Sequence, residues 1–221
     1  MYDSKIAVLL VVHKNENQAN RLIEHLSKDF DIYVHVDKRC SLKILKKNNV
    51  YVYKKYKVCW GSFNQIATTL YLLQKAYYNG YERYLLISGQ DLPIKSNNQI
   101  ELFFENNNKE YISFTKVSAQ GGWPIMNRLT KYYPNQIYFL NKEKTFYNFL
   151  YRIQKKIFCR LNKMKTRKLE YDFYGGSNWI NFTHACVSKI FEFLNKNRNY
   201  IKRYKWTSCA DEIFFQTIEK H

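Results

Sequence analysis

Continuous apolar runs alternate with helix-period segments along the first half of the chain. Ile6–Val12 is apolar throughout and rich in β-branched residues, which is typical of a strand buried on both faces. Apolar side chains then recur at helical spacing between residues 19 and 26, and Ile32–Val36 is a second apolar run. Strand, helix and strand in about 30 residues form a βαβ unit. The pattern therefore predicts an α/β fold built on a parallel sheet.

Further apolar runs extend this prediction along the chain. Each run predicts a strand, and the strands are Val50–Tyr53, Tyr84–Ser88, Glu110–Phe114 and Ile180–Phe182. The spacing of Ser62 with Gln65, and of Ser96 with Gln99, fits a capping box at the start of a helix. A further helix is predicted over residues 185–194. These elements predict a mixed, mostly parallel sheet flanked by helices.

Residues 116–172 are aromatic and basic, with few strand signals. Apolar side chains lie on one helical stripe in this region, at Phe146, Phe149, Ile153, Ile157, Leu161 and Met164. Lysines and arginines lie mostly off that stripe. Two interpretations stay open: a basic amphipathic helix on an anionic membrane surface, or a helix packed on the core with its basic face in water.

The charge balance points to an anionic partner. Lys and Arg number 36 and Asp and Glu 18, for a net charge of +18. Nucleic acid, an anionic membrane or a phosphorylated substrate would each fit this charge, and so would a general lysine bias of the source proteome. No RRM, KH or zinc-finger signature supports a nucleic-acid-binding protein.

The cysteines and the N-terminal sequence indicate in which cellular compartment the protein resides. Five cysteines without a CxxC pair indicate reduced thiols, as in a cytosolic protein. No signal peptide or membrane-spanning run is recognisable, so we expect a cytoplasmic location. GxGxxG and GxxxxGK[ST] are both absent from the sequence, so a nucleotide would be held by carboxylates and other side chains.

Polar residues follow the predicted strands where ligands bind in open α/β sheets. His13, Asp37 and Asp91 each come directly after an apolar run, at the carboxyl edge of the sheet. Near the end of the chain, Asp211 and Glu212 open a predicted helix. The helix dipole accounts for one such carboxylate and leaves the other available for chemistry.

Taken together and in order, the motifs resemble the core-2/I-branching glycosyltransferases, a group that includes peptide xylosyltransferases and many bacterial capsule and lipopolysaccharide enzymes. The matching segments cover most of residues 6–220, and they are residues 11–14, 34–37, 58–62, 88–96, 176–179 and 211–214. Each motif alone has low specificity, whereas the ordered set has high specificity.

The resemblance implies a GT-A-type, Rossmann-like fold with a basic helical insert. Residues 1–115 would form the nucleotide-sugar half, 116–172 the basic aromatic insert, and 173–221 the acceptor and catalytic segment of the same single domain. Relatives continue beyond the segment that matches 211–214, so we expect the sequence to be truncated at its C-terminus.

The resemblance also implies a reaction and its residues. An inverting enzyme would move a sugar, GlcNAc first and xylose second, from a UDP-sugar to a hydroxyl of an acceptor glycan or glycolipid in surface polysaccharide or lipopolysaccharide synthesis. Glu212 matches the general base of the family. The implied donor-binding residues are Val12, His13, Asp37, Trp60, Asp91 and Pro93. The implied acceptor-binding residues are Trp123, Arg128, Tyr132, Ser177, Trp179 and Asp211.

The resemblance to this family also gives expectations for metal use and for further partners. Many GT-A enzymes carry Asp-x-Asp where this chain has Gly89-Gln90-Asp91, a single carboxylate. The resembling family works without a metal, so we expect no cofactor besides the UDP-sugar co-substrate. No nucleic-acid partner is expected, while peripheral attachment to the inner face of the cytoplasmic membrane stays open. A nucleic-acid-binding basic protein and a catalytically dead membrane-surface relative are the alternatives.

Overall fold

The computed structural model describes residues 4–117, 125–133, 145–164 and 166–221. Its strands are β1 (Ile6–Val12), β2 (Asp31–Val36), β3 (Val50–Tyr53), β4 (Arg83–Ser88), β5 (Thr115–Lys116), β6 (Tyr174–Gly175) and β7 (Asn181–Thr183). Its α-helices are α1 (Glu16–Leu26), α2 (Asn64–Tyr77), α3 (Asn97–Phe104), α4 (Ile125–Thr130), α5 (Thr145–Met164), α6 (His184–Lys196), α7 (Arg198–Tyr204) and α8 (Phe214–Ile218). In addition, Ala210–Glu212 forms a 3₁₀ turn.

The chain divides into two compact units, each built from separate stretches of sequence. The first unit contains Met1–Val58, Ala67–Ile112 and Trp179–Lys189. The second contains Cys59–Ile66, Ser113–Asn178 and Ile190–His221.

The first unit is organised around a five-stranded sheet with the order β3-β2-β1-β4-β7. β1 lies in the middle and pairs in parallel with β2 and β4. β3 adds in parallel beyond β2, and β7 adds antiparallel to β4. The predicted mixed, mostly parallel sheet flanked by helices is therefore confirmed.

The apolar pattern of the sequence explains why β1 is central. Every residue of β1 except Val11 is buried, as the continuous apolar run predicts for a strand covered on both faces. α1 buries the four side chains that recur at helical spacing, namely Ala19, Leu22, Ile23 and Leu26. They belong to one core cluster with Ile6, Val8, Leu10 and Val12 of β1. The first βαβ unit thus folds as predicted.

α3 begins with the predicted capping box. Ser96 accepts a hydrogen bond from the backbone N–H of Gln99, and the Gln99 side chain accepts one from Ser96 N in return. This arrangement satisfies two of the backbone donors that a helix N-terminus leaves unpaired. α2 ends where Asn79-Gly80 predicts, and Gly80 takes the left-handed conformation at φ +72°.

The strand predicted at Glu110–Phe114 is wrong. Tyr111 alone bridges to Asn181, and the short strand β5 begins at Thr115 and pairs with β6 in the second unit. The Glu110 carboxylate accepts hydrogen bonds from the backbone N–H and the hydroxyl of Thr183. The ladder therefore does not extend beyond the Tyr111 bridge on the Thr183 side.

The second unit is mainly helical and has a core of packed aromatic rings. Tyr200, Tyr204 and Phe214 are buried, with ring centroids 4.8–5.1 Å apart. The Arg167 guanidinium is buried beside them and donates hydrogen bonds to the carbonyls of Lys131, Trp206 and Arg203. One cation therefore ties three chain segments together.

α5 has the length and the apolar stripe that the sequence predicts. Its stripe is exposed to solvent, with exposed fractions from 38% to 66% at Phe146, Phe149, Ile153, Ile157 and Leu161. The alternative in which this stripe packs on the core therefore does not fit the described part of the chain. No helix within the described ranges is long and apolar enough to cross a membrane.

Leu10 tests the central role of β1, because it is fully buried in the core cluster. We expect Leu10→Ala to lower the free energy of unfolding by about 3 kcal/mol, since it removes apolar contacts and leaves a cavity. Leu102→Ala is the matched control, because Leu102 is 58% exposed on α3 and its loss should change stability by less than about 0.5 kcal/mol. Urea denaturation of both variants measures the difference, and equal effects would contradict a core built on β1.

Candidate active site

The carboxyl edge of the first unit brings several predicted donor residues together. Asp37 N donates to the Val12 carbonyl at 2.8 Å, and Gly89 N donates to the Val11 carbonyl at 2.9 Å. The ends of β1, β2 and β4 therefore lie side by side. Burial and the nearby Lys14 lower the pKa of His13, directly after β1, and the charge of the nearby Asp37 carboxylate partly opposes this.

The Asp37 carboxylate is completely buried and already holds four donors. It accepts hydrogen bonds from the backbone N–H, Nε and NH2 of Arg39 and from Val58 N, at 2.8–3.0 Å. Burial by itself raises the pKa of this carboxyl, but the hydrogen bonds from Arg39 and Val58 outweigh it and hold the pKa below its ordinary value. Asp37 thus anchors the chain beyond β2 and places the half-exposed Arg39 guanidinium at the sheet edge.

His35 stabilises the same region from inside the sheet. Its Nε2 accepts hydrogen bonds from Lys55 N at 3.2 Å and Tyr56 N at 3.0 Å. Burial lowers the pKa of His35 to about 4, so the imidazole is neutral at physiological pH with its proton on Nδ1. His35 and Asp37 together fix the segment 54–58, which leads to the Cys59-Trp60-Gly61-Ser62 motif.

Asp91 closes the turn that follows β4. Its Oδ2 accepts a hydrogen bond from Ser88 N at 2.7 Å, and its own N–H donates to the Ser88 carbonyl at 3.1 Å. A Cβ on Gly89 would lie 3.1 Å from a Val12 methyl, so the turn packs tightly against β1. Pro93, half-buried, follows this turn. The Asp91 carboxylate therefore holds the backbone of the motif in which it lies.

In the second unit, Glu212 forms an ion pair with Arg128. Arg128 NH1 lies 2.7 Å from Glu212 Oε2, and the two side chains are only 17% and 23% exposed. Arg128 comes from α4, and the residues are 84 positions apart in sequence. The contact orients one carboxylate oxygen and keeps the Glu212 side chain within reach of solvent.

The prediction that Asp211 and Glu212 open a helix holds for a 3₁₀ turn and not for the α-helix itself. They lie in the 3₁₀ turn Ala210–Glu212, after Cys209 in the left-handed conformation at φ 44°. Ile213, at φ −131°, interrupts the helical path before α8 begins at Phe214. The two carboxylates therefore lie directly before the N-cap of α8 and not within its first turn.

Asp211 differs sharply from its neighbour. It is buried, and burial raises its pKa to about 6 from an ordinary value of 3.8. The Glu212 charge raises it further, while hydrogen bonds from the backbone and Asn178, and the charge of Arg128, oppose the shift. Its Oδ1 has no hydrogen-bond partner among the residues that the structure describes. Two adjacent carboxyls thus lie in opposite environments.

The segment 176–178 packs directly against this turn. Gly176 N donates to the Glu212 carbonyl at 2.8 Å, and Ser177 N donates to Ser113 Oγ at 2.9 Å. Gln216 Nε2 donates to the Ser177 carbonyl at 2.6 Å. A Cβ on Gly176 would lie 1.8 Å from the Ser113 carbonyl oxygen, so only glycine fits.

Three residues of these sites were missed at the level of sequence: Arg39, Ser113 and Gln216. Arg39 follows Asp37 by two positions, and this short spacing is a signal that the two side chains can pair. Gln216 is a polar residue inside the apolar run 213–218, which is a signal of a buried hydrogen bond. Ser113 carries no comparable signal, because its role comes from a close approach of distant backbone.

The aromatic residues of the predicted site fall in different places. Tyr132 packs edge-on against Trp206 with ring centroids 6.2 Å apart in the second unit. Trp60 belongs to the second unit and is 78% exposed, whereas the other predicted donor residues belong to the first. Trp179, predicted on the acceptor side, belongs to the first unit and is exposed. Trp123 lies outside the described residues.

The sequence model of the Core-2/I-Branching enzyme matches residues 6–219. The chain belongs to the Core-2/I-Branching enzyme family. This is the family that the ordered motifs resemble, and the match extends over all of them, including Glu212 and the segment 176–178.

Comparisons with individual proteins add less. No curated protein matches the sequence. Among solved structures, a candidate nucleotide-diphospho-sugar transferase from Desulfovibrio desulfuricans G20 matches with a TM-score of 0.31 and 12% identity. The aligned region covers 49% of this chain and 58% of that one, so it spans little more than half of that protein. The assignment of the α/β fold rests on the sheet of this chain itself.

The raised pKa of Asp211 makes stability depend on pH. The Asp211 carboxyl binds a proton more tightly in the folded state than in the unfolded state. The stabilisation of the fold by this proton is therefore complete below pH 4 and is lost as the pH rises through about 6. We expect Asp211→Asn to remove this decrease, which amounts to about 3 kcal/mol for a shift of this size.

Denaturation midpoints measured from pH 4 to pH 8 check this expectation. Asp172→Asn is the control, because Asp172 is exposed and pairs with Lys116 at the surface. If the Asp211→Asn variant shows the same dependence of stability on pH as the wild type, Asp211 does not titrate in this range.

Proposed function

We propose that the chain is an inverting glycosyltransferase that moves a sugar from a UDP-sugar to a hydroxyl of an acceptor glycan or glycolipid. Membership of the Core-2/I-Branching enzyme family over residues 6–219 supports the reaction class. GlcNAc is the first candidate for the transferred sugar, and xylose is the second. Synthesis of a surface polysaccharide or lipopolysaccharide is the proposed context.

The ion pair between Arg128 and Glu212 is the observation that carries the proposal. A general base must present one oxygen in a defined direction, and the guanidinium fixes Oε2 at 2.7 Å. The backbone bond from Gly176 N to the Glu212 carbonyl fixes the same residue from the other side. A residue held at both its side chain and its main chain keeps a single geometry, as catalysis by position requires.

The reaction would be a single displacement. Glu212 takes the proton of the acceptor hydroxyl as its oxygen forms a bond to the anomeric carbon. The bond from that carbon to the diphosphate breaks on the opposite face, and UDP leaves with the electron pair. Attack opposite the leaving group inverts the configuration of the anomeric carbon and gives a β-linkage from an α-linked donor.

Asp211 has a supporting part in this proposal. A carboxyl whose pKa is raised to about 6 is largely ionised at pH 7.5 and largely protonated at pH 5. The charge beside Glu212 would therefore differ between these two pH values. Arg128 faces both carboxyls and partly balances their charges.

Donor binding is proposed for the carboxyl edge of the first unit. His13 and the Arg39 guanidinium lie there at the ends of the strands, where ligands bind in open α/β sheets. Because Asp37 already holds four donors, its contribution would be to fix Arg39 and the segment 54–58. Because Arg39 is already paired with Asp37, it would contribute a directed hydrogen-bond donor near the diphosphate and not an unbalanced positive charge.

Replacing Glu212 tests the base directly. We expect Glu212→Gln to lower kcat by about 10²- to 10⁴-fold, because the amide cannot accept the proton. UDP affinity, measured by calorimetry, should stay within about twofold, since the substitution preserves shape and a hydrogen bond to Arg128. Glu170→Gln, at an exposed position, is the control and should leave both quantities unchanged.

The outcomes of this experiment separate the alternatives. Unchanged transfer in Glu212→Gln would remove this residue from the base role. A wild-type protein that binds UDP but transfers no sugar from any UDP-sugar would favour a catalytically dead relative. No UDP binding together with tight, salt-sensitive RNA binding would favour the nucleic-acid-binding alternative.

We also propose that transfer needs no divalent metal. The strand-end motif supplies one carboxylate, Asp91, and its Oδ2 is engaged with Ser88 N. No group of three or more His, Cys, Asp or Glu side chains with metal-binding geometry occurs within the described ranges. Transfer measured in excess EDTA should equal transfer with added Mn²⁺. Activity lost in EDTA and restored by Mn²⁺ would refute this proposal.

A further inference from the structure

α5 contacts the rest of the second unit through a side of mixed polarity. Asn162 accepts a hydrogen bond from Tyr132 N at 2.7 Å and donates one to the Tyr132 carbonyl at 3.1 Å. Among the side chains of α5 that the structure describes, the other half-buried ones are Asn148, Leu150, Tyr151, Gln154 and Phe158. An amphipathic helix of a globular protein normally turns most of its apolar side chains inward, whereas the apolar stripe of α5 is exposed.

The apolar stripe of α5 therefore faces outward. It consists of Phe146, Phe149, Ile153, Ile157 and Leu161, which are 66%, 59%, 38%, 52% and 43% exposed. At a rise of about 1.5 Å per residue, these side chains form a continuous row about 22 Å long. A row of this kind in water is unfavourable and marks an interaction surface.

The charges beside the stripe identify the chemistry of its partner. Arg152, Lys156, Arg160 and Lys163 are all exposed, and the sequence of α5 contains no acidic residue. At 100° per residue, Lys156 and Arg160 lie next to the stripe on the same side of the helix. Positive side chains of α5 thus lie along one side of the apolar row, and the helix contributes no negative one.

This combination excludes two other partners on physical grounds. A second copy of the chain would bring two basic faces together, and like charges at close range repel each other. A nucleic acid would use the basic residues but would gain little from Ile153, Ile157 and Leu161, because bases stack on aromatic rings rather than on aliphatic side chains. A bilayer with anionic headgroups uses both the charges and the apolar row.

We propose that α5 is a membrane-surface helix: its apolar stripe inserts at the boundary between headgroups and acyl chains of a bilayer that contains anionic phospholipid, and its basic side chains contact the headgroups. This inference does not depend on the proposed transferase activity, because vesicle binding is measured without any sugar donor. It also agrees in sign with the overall net charge of +18.

Sedimentation of the full chain with vesicles tests the proposal. We expect binding to phosphatidylcholine vesicles that contain about 30% phosphatidylglycerol, weak binding to pure phosphatidylcholine, and a loss of binding as salt rises. The double variant Ile153→Gln, Ile157→Gln should lower the partition coefficient by about tenfold or more. Its matched control is Ile94→Gln, Leu102→Gln, at two exposed apolar positions of the first unit.

A second pair of variants measures the electrostatic contribution to vesicle binding. Arg152→Gln, Lys156→Gln should weaken binding to anionic vesicles by about 25-fold at low salt, at about fivefold for each charge. Lys28→Gln, Lys46→Gln removes the same net charge from exposed positions outside α5 and should have a much smaller effect. An unchanged thermal midpoint in every variant shows that the fold is retained.

Several results would overturn the proposal. One is the absence of wild-type binding to anionic vesicles, and another is vesicle binding that the α5 variants do not change. A dimer that Ile153→Gln, Ile157→Gln converts to a monomer, without vesicle binding, would assign the stripe to a second copy. RNA binding that depends on Arg152 and Lys156, again without vesicle binding, would assign the helix to nucleic acid.

Discussion

Burial of β1 on both faces constrains the rest of the first unit. A strand with no exposed face needs a hydrogen-bonded neighbour on each edge and apolar cover on each side. β2 and β4 are the two neighbours, and α1 covers the face that carries Ile6, Val8, Leu10 and Val12. The parallel register then brings the ends of three strands to one edge. A register slip of one residue would turn every side chain of a strand to the opposite face, so the apolar pattern also fixes which polar residues lie at that edge.

At this edge, most polar groups support the backbone before any ligand is present. Asp37, His35 and Asp91 all accept hydrogen bonds from backbone N–H groups. The residues that the motifs single out are therefore also structural residues. These residues also position other groups at the edge, of which the Arg39 guanidinium is the clearest example.

In the second unit, close backbone contacts give two adjacent carboxyls different properties. Gly176 lies against Ser113 and bonds to the Glu212 carbonyl, and this packing buries Asp211 while Glu212 reaches Arg128. Burial stabilises the neutral form of a carboxyl, and a guanidinium at 2.7 Å forms an ion pair with a charged one. Neighbouring residues with opposed environments are a common arrangement at sites of acid–base chemistry.

Patterns in the amino-acid sequence alone predict the buried strands, the βαβ unit, the α3 capping box and the polar residues at the strand ends. These features depend on neighbours a few positions away, and local patterns therefore predict them. Three other features depend on contacts between distant segments: the 3₁₀ turn that carries Glu212, its ion pair with Arg128 across 84 positions, and the single bridge of Tyr111 to Asn181 in place of a strand. The tertiary structure also decided which face of α5 points outward. Such contacts depend on the path of the whole chain, because their partners are distant in sequence and leave no periodic signal in it.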